Sequence, residues 1–134
     1  MLALAREVFE VMVAHCLDGF PLEACGLLGG AGGDHASASA CYPTANAAAS
    51  AKLYTVEPRD MLRADRAADA AGIELIGVFH SHTHTDAYPS PTDVELAPDP
   101  GWHYVLVSLR DAEPSVRSYR IRGGNIEEEA VVLE

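Results

Sequence analysis

Cysteine is scarce here and poorly placed for cross-linking. The chain has only Cys16, Cys25 and Cys41, an odd number with no Cys-x-x-Cys pair. That argues against a disulfide framework or a cysteine-based zinc knuckle. It points to a reducing cytoplasm, with all three thiols as small buried or half-buried groups. Basic residues are also few: nine Lys and Arg face twenty Asp and Glu, a formal charge of −11. A surface so acidic repels phosphate backbones and anionic lipid, so no nucleic acid and no membrane is expected as a partner. No run of 18 apolar residues exists, which excludes a transmembrane helix. The N-terminal stretch is acidic and amphipathic rather than basic and then apolar, an argument against a signal peptide. The glycine-rich run 29–33 lacks a following Gly-Lys-Ser/Thr and therefore makes no phosphate loop.

What is present describes an ordinary globular chain. At 134 residues, with 49% hydrophobic and 22% charged, residues 1–134 fit one domain with a substantial core. Leu4, Val8, Val11 and Met12 recur at helical spacing and predict a first amphipathic helix, stopped by Gly19-Phe20-Pro21. Ala24 to Gly30 and Ala36 to Tyr42 read as strands joined by a glycine-rich hairpin. Pro43 to Tyr54 is a loop of small residues, a candidate mobile segment. Pro58 opens a second helix to Ala71, closed by Gly72. Ile73 to His82 is the expected central strand, and Ser90 to Leu96 a short helix. His103–Leu109, Ser115–Ile121 and Ile126–Leu133 complete the set as three strands. The sum is a mixed sheet flanked by helices, of the α/β (α+β) class.

The chemistry concentrates in Phe79-His80-Ser81-His82 and Pro89-Ser90-Pro91-Thr92-Asp93. Side chains alternate along a strand, so His80 and His82 share a side and can bind one ion, with Zn–N bonds of about 2.0–2.1 Å. Ser90 suits an N-cap and Pro91 the first helical position; Asp93 at the third is then able to turn its carboxylate back to the metal. Three such ligands leave one position for water, the mark of a catalytic zinc site. A zinc hydrolase also needs a carboxylate outside the ligand set to carry a proton. Asp86 is available, in an unconstrained loop. Glu23, leading into an apolar strand where a bare charge is costly, is the better candidate.

These residues resemble the JAMM (MPN-plus) metalloproteases, whose motif is a glutamate on the first strand, then His-x-His, seven residues, and Ser-x-x-Asp. Here they are Glu23, His80-Ser81-His82, the seven residues Thr83 to Pro89, and Ser90-Pro91-Thr92-Asp93. The resemblance implies a cytidine-deaminase-like fold with zinc on His80, His82 and Asp93. It makes Glu23 the general base and acid, and Ser90 the donor to the tetrahedral oxyanion. Many members carry proline after the second histidine, where this chain has Thr83-His84-Thr85; His84 is expected as a substrate-side or solvent residue. Within the family the chain is similar to small bacterial peptidases that release cysteine from a ubiquitin-like sulfur-carrier protein by cutting after its C-terminal Gly-Gly tail. That likeness implies a cytoplasmic enzyme of cysteine biosynthesis and leaves a homodimer open. The alternatives are an isopeptidase removing a ubiquitin-like modifier from protein lysines, a non-catalytic scaffold, and a zinc nucleoside deaminase. The complete ligand set argues against the scaffold, and the missing Pro-Cys-x-x-Cys run against the deaminase.

Overall fold

Two short edge strands, β1 (Leu2–Leu4) and β8 (Val131–Leu133), finish an eight-stranded sheet in the order β7-β6-β5-β4-β2-β3-β1-β8. The structure, a computed structural model, describes residues 1–134. The remaining strands are β2 (Cys25–Ala31), β3 (Ala36–Thr44), β4 (Glu74–His82), β5 (His103–Ser108), β6 (Ser115–Arg122) and β7 (Asn125–Glu129). The helices are α1 (Arg6–Gly19), α2 (Pro58–Ala70) and α3 (Pro91–Glu95). None is long and apolar enough to cross a membrane.

Alternation along the strands builds two cores, one on each face of the sheet. Val8, Met12 and Cys16 of α1 pack with Leu28, Phe79, Val105 and Val107 on one side. Ala64 of α2 packs with Leu27, Val78, Tyr104 and Leu106 on the other. The small residues of α2 let it lie close to the sheet, and the helix ends at Gly72, whose φ of +73° suits glycine. Gly26 is required at the centre: a Cβ there would sit 2.4 Å from the Phe79 ring.

The fold corrects the sequence reading in two places. The buried stripe of α1 is Val8, Met12 and Cys16, while Val11 is 44% exposed and Leu4 belongs to β1. A three-residue edge strand is too short to show a period, so in the sequence Leu4 reads as part of the helix pattern. The expected strand Ile126–Leu133 is two strands. β7 pairs antiparallel with β6, and the chain then crosses at Ala130 so that β8 pairs parallel with β1 at the opposite edge. The sheet is thereby nearly closed, which leaves little unpaired edge.

A buried polar cluster pins that seam. His103, fully buried on β5, faces the Glu129 carboxylate with Nδ1 at 2.6 Å and the Gly33 carbonyl with Nε2 at 3.1 Å. Ser118 donates to the same Glu129 oxygen at 2.7 Å. Burial pushes the Glu129 carboxyl up, but the His103 and Ser118 hydrogen bonds outweigh it and hold its pKa down to about 2. A depressed carboxyl stabilises the fold above its unfolded pKa, near 4.5, and that contribution disappears as pH falls through about 2. The shift corresponds to about 3 kcal/mol. Urea unfolding of the parent and of Glu129→Gln should show a gap of this size at pH 7 that closes between about pH 4.5 and 2. A gap independent of pH would deny Glu129 this role.

Candidate active site

Each ligand of the cluster is placed by ordinary secondary structure. Val78, His80 and His82 alternate onto the α2 face of β4, while Phe79 and Ser81 point to the α1 core. β2 lies antiparallel beside β4 with Cys25 opposite His80. The pairing continues one step beyond the ladder: Ser81 N donates to Ala24 O at 2.9 Å, and Ala24 N donates to Ser81 Oγ at 2.9 Å. That pair of hydrogen bonds sets Glu23 across from His82, on the same face.

Asp93 arrives from the other direction, on the first turn of α3. Ser90 Oγ accepts from Asp93 N at 3.1 Å, and Asp93 Oδ2 accepts from Ser90 N at 2.9 Å, a complete capping box. The same Oδ2 lies 3.2 Å from His80 Nε2 and 3.0 Å from His82 Nε2, and the two imidazole nitrogens are 3.2 Å apart. His82 Nδ1 donates to Asp86 O at 2.8 Å, which leaves Nε2 of the neutral ring as a bare lone pair aimed at the cluster. Lone pairs of a carboxylate and two imidazoles converging within 3.2 Å repel unless a cation or protons sit among them. Tetrahedral ligands with bonds of about 2.0–2.1 Å stand about 3.4 Å apart, so small outward movements of the three atoms admit a metal ion.

Protons on the imidazoles can stand in for a cation, and the electrostatics show that pull. Burial pushes Asp93 up, but the hydrogen bonds with His80 and His82 outweigh it and hold it well below the usual carboxylate range. His80 is driven down by burial. Burial also acts downward on His82, where the bonds to Asp93 and Asp86 prevail and raise it. Glu23, 5% exposed, has an Oε1 with no hydrogen-bond partner. Buried polar atoms are nearly always paired, so an orphaned carboxylate oxygen beside a ligand cluster marks a place kept for something else. Burial raises Glu23 to about 7, against a downward pull from His82 and an upward push from Asp93. That value suits proton exchange near neutrality.

Of the two acids left open by sequence, Glu23 is buried against the cluster. The Asp86 side chain is 70% exposed and paired with Arg110, and only its backbone carbonyl serves the site. His84 stays outside the ligand group: its ring is exposed, with Nδ1 at 2.9 Å from Thr83 Oγ1.

Two residues escaped the sequence reading. Tyr54 stacks on His80 with ring centroids 4.1 Å apart and planes 20° from parallel. Asn46 donates to Glu23 O and Leu53 O and accepts from Ala48 N and Thr55 N, all within 3.0 Å, which exhausts its capacity. It holds the loop expected to be mobile and ties that loop to Glu23. A signal existed, because Asn46 and Tyr54 are the single amide and the single aromatic ring among the small residues of 43–54.

The comparisons agree with this geometry. The family model described as prokaryotic homologues of the JAB domain matches residues 5–122. The CysO-cysteine peptidase of Mycobacterium tuberculosis is 41% identical over 132 residues, 98% of this chain and 90% of that protein. The desampylase of Haloferax volcanii is 33% identical over 112 residues, 80% of each chain. A solution structure of a Desulfitobacterium hafniense protein superposes with a TM-score of 0.92 at 36% identity, covering 100% of this chain and 93% of that one.

An acid held at a raised pKa costs stability. The penalty is absent below the unfolded pKa, near 4.5, and complete above about 7. Chelator-treated Glu23→Gln should therefore be more stable than the parent by about 1–3 kcal/mol at pH 8, with the two converging below about pH 4.5. Equal stability at both pH values would show that Glu23 carries no such strain.

Proposed function

The chain belongs to the prokaryotic JAB-domain family and is a hydrolytic enzyme of the JAMM type, and from that premise we propose that it frees cysteine from a ubiquitin-like sulfur carrier. The bond cut is the amide after the carrier's C-terminal Gly-Gly, with residues 1–134 acting as one peptidase domain. The observation that carries the chemistry is the orphaned Glu23 carboxylate beside the three-ligand cluster. The substrate reading is supported by 41% identity, nearly end to end, with a protein named for that reaction.

His80, His82 and Asp93 are the proposed zinc ligands; bound there, the ion supplies Lewis acidity that brings the pKa of a water toward about 7. Glu23 takes a proton from the attacking water and passes it to the departing amine as the C–N bond breaks. Its raised pKa lets it serve both roles. The products are the carrier's terminal glycine carboxylate and free cysteine. Ser90 Oγ already accepts from Asp93 N, so its own hydrogen is free to donate to the carbonyl oxygen as charge develops there. Tyr54 fixes the His80 ring, and the Gly-Gly tail lies between the central sheet and the loop that Asn46 braces. A second reading, removal of a ubiquitin-like modifier from protein lysines, is favoured by the desampylase relative.

Intact-mass analysis of a carrier–cysteine adduct tests the substrate. We expect loss of one cysteine residue, blocked by chelator, and a rate reduced about 10²–10⁴-fold in Glu23→Gln. An intact adduct alongside a cut lysine-linked modifier would favour the second reading. Elemental analysis should find zinc in the purified protein and in Glu23→Gln, with His82→Ala nearly empty. Equal zinc in His82→Ala would remove that ligand.

A further inference from the structure

Two recesses flank the ligand cluster, and their chemistry differs. On the Tyr54 side a hollow of about 340 Å³ is mostly apolar, with Tyr54, Val56, Val78 and Trp102 in its walls. On the His82 side a hollow of about 430 Å³ is polar, and Ser90, His82, His84, Tyr88, Asp86 and Arg110 line it. Tyr54 of the first hollow stacks on His80, and His82 and Ser90 belong to the second, so a bond cut at the cluster has one recess for the carrier's tail and one for the leaving amine.

Arg110 is the permanent cation of the polar recess. It follows β5, where Leu109 N donates to His82 O at 2.9 Å and Ser108 Oγ donates to Thr85 O at 2.5 Å. Its Nη2 lies 2.7 Å from Asp86 Oδ1 and 3.6 Å from Asp111 Oδ2. Asp86 is the residue whose carbonyl orients His82. The guanidinium is thus tethered to the segment that orients a ligand of the cluster. Both members of the pair are open to solvent, 47% for Arg110 and 70% for Asp86, and exposed ion pairs are weak enough to exchange partners readily.

The surroundings explain why a cation belongs here. The chain carries a formal charge of −11; Asp86 lines the recess, and Asp93 and Glu23 lie behind its His82 wall. A leaving group that is a single amino acid brings an α-carboxylate two bonds from the scissile nitrogen, into a field that repels it. The planar guanidinium fork matches a carboxylate, and only Nη2 is already engaged. We propose that Arg110 binds the α-carboxylate of the leaving amino acid, and so selects adducts ending in a free C-terminal residue. A lysine side-chain amine inside a protein offers no such group. The assignment rests on the proposed release of cysteine.

The test uses the zinc-loaded enzyme with two adducts of one carrier, one ending in cysteine and one in cysteinamide. Wild type should prefer the acid by about 10- to 100-fold in kcat/KM, chiefly through KM. In Arg110→Ala the preference should fall to about one, with Arg110→Lys between the two. Asp86→Ala should keep it, because Arg110 remains. No preference in wild type, or an undiminished one in Arg110→Ala, overturns the assignment. A collapse in Asp86→Ala equal to that in Arg110→Ala also overturns it, by tracing the effect to the ion pair's hold on the His82 segment. If wild type cuts neither adduct, the cysteine-release reading itself fails and the assignment falls with it.

Discussion

Antiparallel pairing of β2 with β4 is the constraint from which the site follows. The ladder sets Cys25 opposite His80, and the exchange between Ala24 and Ser81 carries it one step further. A slip of β4 by one residue would bring Phe79 and Ser81 to the Glu23 face instead of the histidines. The register is held by packing as well as by hydrogen bonds. Gly26 leaves room for the Phe79 ring, and Gly77 leaves room for the backbone of β5, since a Cβ there would lie 2.3 Å from His103 O. The sheet's own close packing thus determines where the proposed proton carrier stands relative to the proposed metal ligands.

The cluster is bought with stability that the rest of the fold supplies. Three lone-pair donors converge at 3.0–3.2 Å, and a carboxylate oxygen is buried beside them without a partner. Neither arrangement favours folding by itself. Offsetting them are two apolar cores on opposite faces of the sheet and the His103–Glu129–Ser118 cluster at its seam. The contrast between Glu129 and Glu23 is instructive. Both are largely buried acids, but hydrogen bonds hold Glu129 down to about 2 while burial leaves Glu23 near 7. One carboxylate is held by hydrogen bonds at the seam, and the other keeps an unpartnered oxygen beside the cluster.

The loop 45–57 shows how a segment of weak sequence character becomes part of the site. Its alanines form no periodic pattern, yet Asn46 fixes it from within, and Asp60 of α2 accepts from Ala45 N at 2.9 Å. The loop then delivers Tyr54 onto the face of His80. Thr83 Oγ1 and Glu23 N reach back to it through Ala51 O and Ser50 O. The neighbourhood of the two catalytic candidates is therefore braced from three elements rather than suspended in a free loop.

Local rules made much of this legible in the chain itself. Alternation along a strand is enough to put His80 and His82 on one side, and Ser90-Pro91-Thr92-Asp93 specifies a capped helical turn through short-range hydrogen bonds alone. Those signals lie within a few residues, so the order of amino acids determines them directly. The family resemblance supplied Glu23, which physical reading could rank above Asp86 but could not place. Its position depends on a strand pairing across 57 residues, between Ala24 and Ser81, and no local pattern encodes such a register. The same is true of the division of Ile126–Leu133 into β7 and β8, because closure is decided by which edges meet in space. Tyr54 on His80 and Arg110 beside the His82 segment are likewise long-range meetings. The sequence by itself determined the elements and the residue types of the site. Tertiary structure decided which of them face one another, since side-chain contacts between distant segments exist only once the sheet has formed.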